Sequence, residues 1–181
     1  MPPIDAGRTA PTDPRRELER GFASLRSGDA AAAARAAQGV LARAPGHHGA
    51  LNLAGLAALQ QGDAETAIER LTRAESLALT QPIYPANLAA ALRAAHRHAD
   101  AAAACRRALA LRPGYRAALV TLGAAQFALE DYAGALGTYE EALQSADAEQ
   151  AADMAPADLE IALLHAYRGD ALRELGRVRA A

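Results

Sequence analysis

Apolar and polar positions along the chain follow a helical rhythm, and the stretch from 48 to 81 shows the unit most plainly. In HHGALNLAGLAALQQ, the residues Leu51, Ala54, Gly55 and Ala58 stand at i, i+3, i+4 and i+7, one face of a helix. Gly62 and Asp63 then interrupt, since glycine suits the left-handed residue that ends a helix and aspartate suits the cap of the next. A second helix is predicted over AETAIERLTRAESLAL, with Ala67, Ile68, Leu71 and Ala74 on one face.

The unit recurs. Ala33, Ala67, Ala101 and Ala135 lie 34 residues apart, and Gly28 and Gly62 keep the same period. Asp29 and Asp63 share it too, with Asp131 on their column. Gly21, Gly55 and Gly123 form a further column with Ala89 between them, and Ala74, Ala108 and Ala142 form another opened by Val40. Pro45 and Pro113 are two periods apart. A two-helix unit repeated at this period predicts a solenoid, in which each unit buries its apolar face on its neighbours. The small side chains in these columns let paired helices approach closely, and a larger one would overpack at about 1–3 kcal/mol.

These residues resemble the tetratricopeptide repeat family. Its 34-residue helix-turn-helix carries a small residue and glycine in the first helix, two alanines in the second and a closing proline. The fourth copy matches as Leu119, Leu122, Gly123, Ala135, Tyr139 and Ala142, with Glu130 to Tyr132 in the turn. The resemblance implies an all-α, right-handed α-solenoid of four full repeats, 14–47, 48–81, 82–115 and 116–149, plus a partial fifth. Residues 1–13 read as a flexible arm.

Departures from the family pattern are local. The bulky residue early in the first helix is replaced by Glu17, Pro85 and His165 in the first, third and last copies. Proline is tolerated there because the first helical turn needs no amide donor. After Glu149 the register slips. Gly169 and Gly176 repeat the seven-residue separation of Gly21 and Gly28, which sets a fifth start near Ala162, twelve residues late. Residues 150–161 read as an acidic insertion, with an extended second helix, a loop and a new helix from Pro156. Residues 162–181 read either as a partial fifth repeat or as a helix capping the fourth.

Composition narrows the classes. Alanine accounts for 52 of 181 residues and arginine for 19, with no lysine, while aromatics are 4%. Strands need the β-branched and aromatic residues that are scarce here, so a sandwich or barrel is excluded. Modest charge and strong helix formers exclude disorder throughout. The first fourteen residues lack the apolar core of a secretory signal, and no uninterrupted apolar run could span a membrane. Cys105 is the only cysteine, which fits a reduced, cytoplasmic setting. The replacement of all lysine by arginine reads as genomic base composition. Net charge is only −2, but residues 1–116 carry 15 Arg against 10 acids, whereas 117–167 carry nine acids and no Arg. Such a gradient either orients a charged partner or lies on solvated faces.

Chemistry is sparse. His47 and His48 fall at a repeat junction, His96 and His98 in a turn within a repeat, and His165 on the last helix. None has the i+4 partner of a zinc helix, so no metal is expected. Cys105 occupies the column of Leu71 and Tyr139, the position of an inert core thiol. There is no phosphate-binding loop, nucleophile elbow or carboxylate pair, and neither catalysis nor a cofactor is expected. Scattered arginines and few aromatics argue against nucleic acid, and no concentrated basic helix argues for a membrane surface.

The resemblance implies that the first helix of each unit lines a concave, peptide-binding surface. Helical geometry selects Leu18, Phe22 and Leu25; then Asn52, Leu56 and Leu59; then Ala86, Ala90 and Arg93; and then Val120, Ala124 and Phe127. Arg26, Asn52, Asn87 and Arg93 could bond an extended backbone or a carboxylate. Family members that grip heat-shock chaperone tails use Lys, Asn and Arg on these faces. The matching columns here hold Leu18, Phe22, Asn52, Leu56, Ala86 and Ala90, which do not build that clamp. The expected function is a non-catalytic module holding a protein or peptide. The run LRPGYRAALVTLGAAQFALEDYAGAL also resembles repeats ahead of glycosyltransferase or sulfotransferase domains, the recruiting arm of a larger bacterial enzyme. A third reading is a self-associating scaffold, in which the open fifth copy meets the first copy of a neighbour. The apolar face is either open to a partner or covered by the superhelix itself, by the Pro-rich N-terminal arm or by another subunit.

The second helix of the first copy offers only alanine where the second and fourth copies have Leu71 and Tyr139, so it buries the least apolar area. Its amides are expected to exchange with solvent before those of the later copies in native-state hydrogen exchange. Later exchange there than in the fourth copy would contradict this.

Overall fold

The computed structural model describes residues 13–151 and 158–180. They form α1 (Pro14–Arg26), α2 (Ala30–Arg43), α3 (His48–Gln60), α4 (Ala64–Leu77), α5 (Ile83–Ala94), α6 (His98–Leu111), α7 (Arg116–Ala128), α8 (Tyr132–Ala151) and α9 (Asp158–Ala180). No strand occurs among the described residues. Each helix packs on the next in sequence, giving a helical repeat solenoid.

One turn joins the two helices of every pair. In the first, the Asp29 amide donates to the Ser24 carbonyl at 2.9 Å and the Gly28 amide to that of Leu25 at 3.1 Å. The same two bonds recur from Asp63 and Gly62, from Arg97 and His96, and from Asp131 and Glu130. The turn requires a left-handed residue. Gly28 and Gly62 supply it at φ +88° and +85°, but His96 and Glu130 hold the same position at +58° and +62°. The fold thus imposes the conformation where side-chain chemistry does not favour it. Asp29, Asp63 and Asp131 cap the following helix by accepting from the amides of Ala32, Thr66 and Gly134. Hydrogen bonds from the Thr66 hydroxyl first and its amide second hold the Asp63 carboxyl below its ordinary pKa. Arg97 makes no such cap.

Packing within each pair depends on small residues. Ala33, Ala67, Ala101 and Ala135 are fully buried, as are Ala74, Ala108 and Ala142. A Cβ added at Gly55 would lie 2.6 Å from Leu71 Cγ, and one at Gly123 would lie 2.5 Å from Tyr139 Cε1. Larger side chains in the second helices therefore sit directly on these glycines. In α2 the buried residues are Ala30, Ala33, Ala37 and Val40, of which only Val40 exceeds alanine in size.

Curvature follows from which helices meet. The backbone of α1 contacts α3, and the pairs α3 with α5, α5 with α7 and α7 with α9 do likewise. No even-numbered helix makes such a contact with another even-numbered one. Among them, a two-pronged ion pair from Arg107 of α6 to Glu75 of α4 bridges the wider gap at 2.8 and 3.0 Å. The odd helices therefore form the tighter, inner layer.

The C-terminal part departs from the register expected for a fifth copy. Gly176 stands where Gly28 and Gly62 end a helix, yet α9 continues through it to Ala180 without a left-handed residue. Nothing lies within 4 Å of its Cβ position, and an exposed helical glycine costs only about 1 kcal/mol. The helix α9 packs on both α7 and α8, the place of a further inner-layer helix. Residues 1–12 of the expected arm, and 152–157 of the insertion with Pro156, lie outside the described residues.

Gly123→Ala is expected to lower stability by about 1–3 kcal/mol in urea denaturation, because the rigid Tyr139 ring cannot yield. Gly137→Ala on α8, with nothing within 4 Å of its Cβ position, should raise stability by about 0.5–1 kcal/mol. Equal effects would contradict the packing account.

Candidate functional site

The inner layer gathers most of the selected face. Phe22 and Leu25 of α1, Leu56 and Leu59 of α3, Ala90 of α5, and Val120, Ala124 and Phe127 of α7 are all half-buried, with Arg26 and Arg93 exposed. Phe22 and Leu25 rest on the core beneath α1, and Leu59 on that beneath α5. Val120 and Phe127 rest on the core around Tyr139, whereas Leu56 belongs to none of the described core clusters. The larger apolar side chains with most exposure lie elsewhere, among them Leu79 at 72% and Val178 at 62%.

Some selected residues serve the core instead. Leu18 is 8% exposed, Ala86 6% and Asn52 3%, so they offer little surface to a partner. Asn52 accepts a 2.7 Å hydrogen bond from the Asn87 side-chain amide, which ties α3 to α5. A buried amide oxygen needs such a partner, and the pair fixes the crossing of two inner helices. Asn87 stays half-buried at the surface.

His47, His48 and the cysteine have structural employment. His47 caps α3 by accepting from the Ala50 amide, and His48 Nδ1 meets the Tyr84 hydroxyl at 2.5 Å. Among the described residues no group of three or more His, Cys, Asp or Glu could hold a metal ion. No described helix is long and apolar enough to cross a membrane. Cys105 is fully buried, and burial pushes its thiol pKa up to about 12 against a weaker opposing pull from Arg106, Arg107 and Arg93.

A feature the hydrophobic pattern did not single out lies at the C-terminal end of the inner face. Ala124 and Phe127, Tyr139, and Tyr167 and Asp170 surround a cavity of about 200 Å³ between α7, α8 and α9. The Tyr139 and Tyr167 rings stack with centroids 5.6 Å apart, and Phe127 meets the edge of Tyr132 at 5.2 Å. Asp170 continues the column of Phe22, Leu56, Ala90 and Ala124 once the twelve-residue slip is allowed for. That shift was the available signal.

No model of a known protein family matches the chain. Over 91 residues, 50% of this chain, it is 37% identical to the heat-shock protein cognate co-chaperone sgt12 of Aspergillus fumigatus, and the match spans 27% of that protein. The solved Sgt2 TPR domain of the same organism is 27% identical, with a TM-score of 0.63 over 74% of this chain and 82% of that one. An O-GlcNAc transferase from Thermobaculum terrenum is 30% identical, with a TM-score of 0.68 over 77% of this chain but 27% of that one. The first TPR of Spaghetti, bound to an HSP90 peptide, is 26% identical, with a TM-score of 0.58 over 72% of this chain and 91% of that one.

With its folded pKa raised above the unfolded value of 9.0, Cys105 contributes stability that is complete below about pH 9 and lost as pH rises towards 12. Iodoacetamide at pH 8 is accordingly expected to modify it only as fast as the protein opens, with the rate rising in urea. Modification at the rate of a free thiol in the native protein would overturn its assignment as inert.

Proposed function

This chain is a tetratricopeptide repeat protein, and on that footing we propose that it is a non-catalytic module which holds an extended peptide or protein segment along its inner face. The observation that carries this is the run of half-buried apolar side chains, Phe22, Leu25, Leu56, Leu59, Val120 and Phe127, across three of the inner helices. Half-burial fixes their rotamers in advance, so a partner adds apolar contact at small entropic cost. Arg26, Asn87 and Arg93 along the same face supply donors for a peptide backbone. The solved Spaghetti complex supports the reading, because a related repeat domain holds a peptide. The peptide proposed here is of different chemistry: the clamp columns are apolar, which suits an apolar segment better than an acidic chaperone tail. The inert, lone Cys105 fits a reducing cytoplasm.

A second reading has one specific support. The likeness to the transferase covers 27% of that enzyme, so a repeat segment of this kind can accompany a catalytic chain. In that reading the groove recruits the substrate of a larger bacterial enzyme, and it uses the same face.

Leu56→Arg tests the proposal with least risk to the fold, since Leu56 belongs to none of the described core clusters. Peptides selected from a random display library on the intact chain should bind in solution and lose at least tenfold, about 1.4 kcal/mol, on the folded Leu56→Arg variant. Failure to select peptides above a blank surface, or undiminished binding by the variant, would contradict it.

A further inference from the structure

The aromatic cavity at the end of the groove has chemistry of its own. Its walls present Phe127, Tyr139 and Tyr167, with the Asp170 carboxylate in the rim. Gly123 lets the Tyr139 ring seat against α7, because a side chain there would strike that ring. At about 200 Å³ the cavity admits one side chain rather than a stretch of peptide. Asp170 is engaged by Arg173 from its own helix, a pair exposed on both sides (side chains 46% and 69%). Such exposed pairs are weak, so the carboxylate can exchange this guanidinium for an incoming one.

An apolar occupant would strip water from the Asp170–Arg173 pair and offer the carboxylate no donor in return. A cation meets the opposite situation, since the aromatic faces carry partial negative charge and the carboxylate a full one. Burial first, then Tyr167 and more weakly Asp170, push the pKa of the Tyr139 hydroxyl up to about 12, with Arg93 opposing.

We infer that this cavity is a specificity pocket for an arginine side chain of the bound peptide, whose guanidinium packs against the Phe127 and Tyr167 rings, above the buried Tyr139, and bonds Asp170. Arginine suits it better than lysine because a planar guanidinium stacks on aromatic rings and forks onto a carboxylate at once. The inference rests on the groove reading and names part of its partner: a basic residue toward the C-terminal end of the groove, with an apolar segment beyond it.

The probe is N-acetyl-arginine amide, titrated into the intact chain and followed by NMR at Phe127, Tyr139, Tyr167 and Asp170. Saturable shifts confined to these residues are expected. The neutral isostere N-acetyl-citrulline amide should bind at least tenfold more weakly, and the lysine amide should fall between. Asp170→Asn should weaken the arginine probe at least fivefold, whereas Glu174→Gln, which alters a charge paired with Arg177 outside the cavity, should not. Equal binding of citrulline, stronger binding of N-acetyl-phenylalanine amide, or no saturable shift would overturn the pocket. The probe has no apolar segment, so its failure alongside intact capture of selected peptides removes the pocket and leaves the groove. Loss of peptide capture with probe binding intact removes the groove reading instead.

Discussion

How closely two helices of a pair can approach is the constraint from which the rest of the structure follows. Buried alanines recur at fixed columns, and glycine at 21, 55 and 123 takes a neighbouring side chain directly on its backbone. Once the pair distance is set, the identical turn in each unit repeats the same rotation, and the odd helices become the inner layer. The turn holds even where His96 and Glu130 must adopt a left-handed conformation. Local preference yields to the period there, as expected when stacking supplies most of the stability.

Function inherits the same geometry. Short side chains at Ala90 and Ala124 keep the middle of the inner face shallow, while Phe22, Leu56, Leu59 and Phe127 give it apolar relief. Gly123 seats Tyr139 against α7, and that ring is one of the residues around the aromatic cavity at the groove's end. A surface of apolar stripe and acidic aromatic end is poorly matched to an acidic tail and well matched to an apolar segment carrying a base.

Much of this was legible in the sequence, and the reasons differ by feature. The helix pairs were, because a 34-residue period reports packing that every unit must satisfy. The Asp29, Asp63 and Asp131 caps were, because capping is local chemistry. The left-handed residues at His96 and Glu130 could be read only from their column, since neither residue type signals the conformation. Burial of Leu18 and Asn52 was not legible from one helix, because it depends on how neighbouring inner helices cross and on the Asn52–Asn87 bond. The column at Gly176 predicts a helix end, but α9 runs on through it because no close packing enforces a turn there. The cavity escaped for a related reason: Tyr139 and Tyr167 belong to different units, and the insertion between them breaks the count.

Partners are proposed to bind on the inner layer of odd helices. Hydrogen exchange of the intact chain, with and without a selected peptide at saturation, tests this most directly. The account predicts new protection concentrated in α1, α3, α5 and α7, with little change in α2, α4 and α6 beyond a uniform stabilisation. Protection concentrated on the even helices, with the odd ones unchanged, would contradict it.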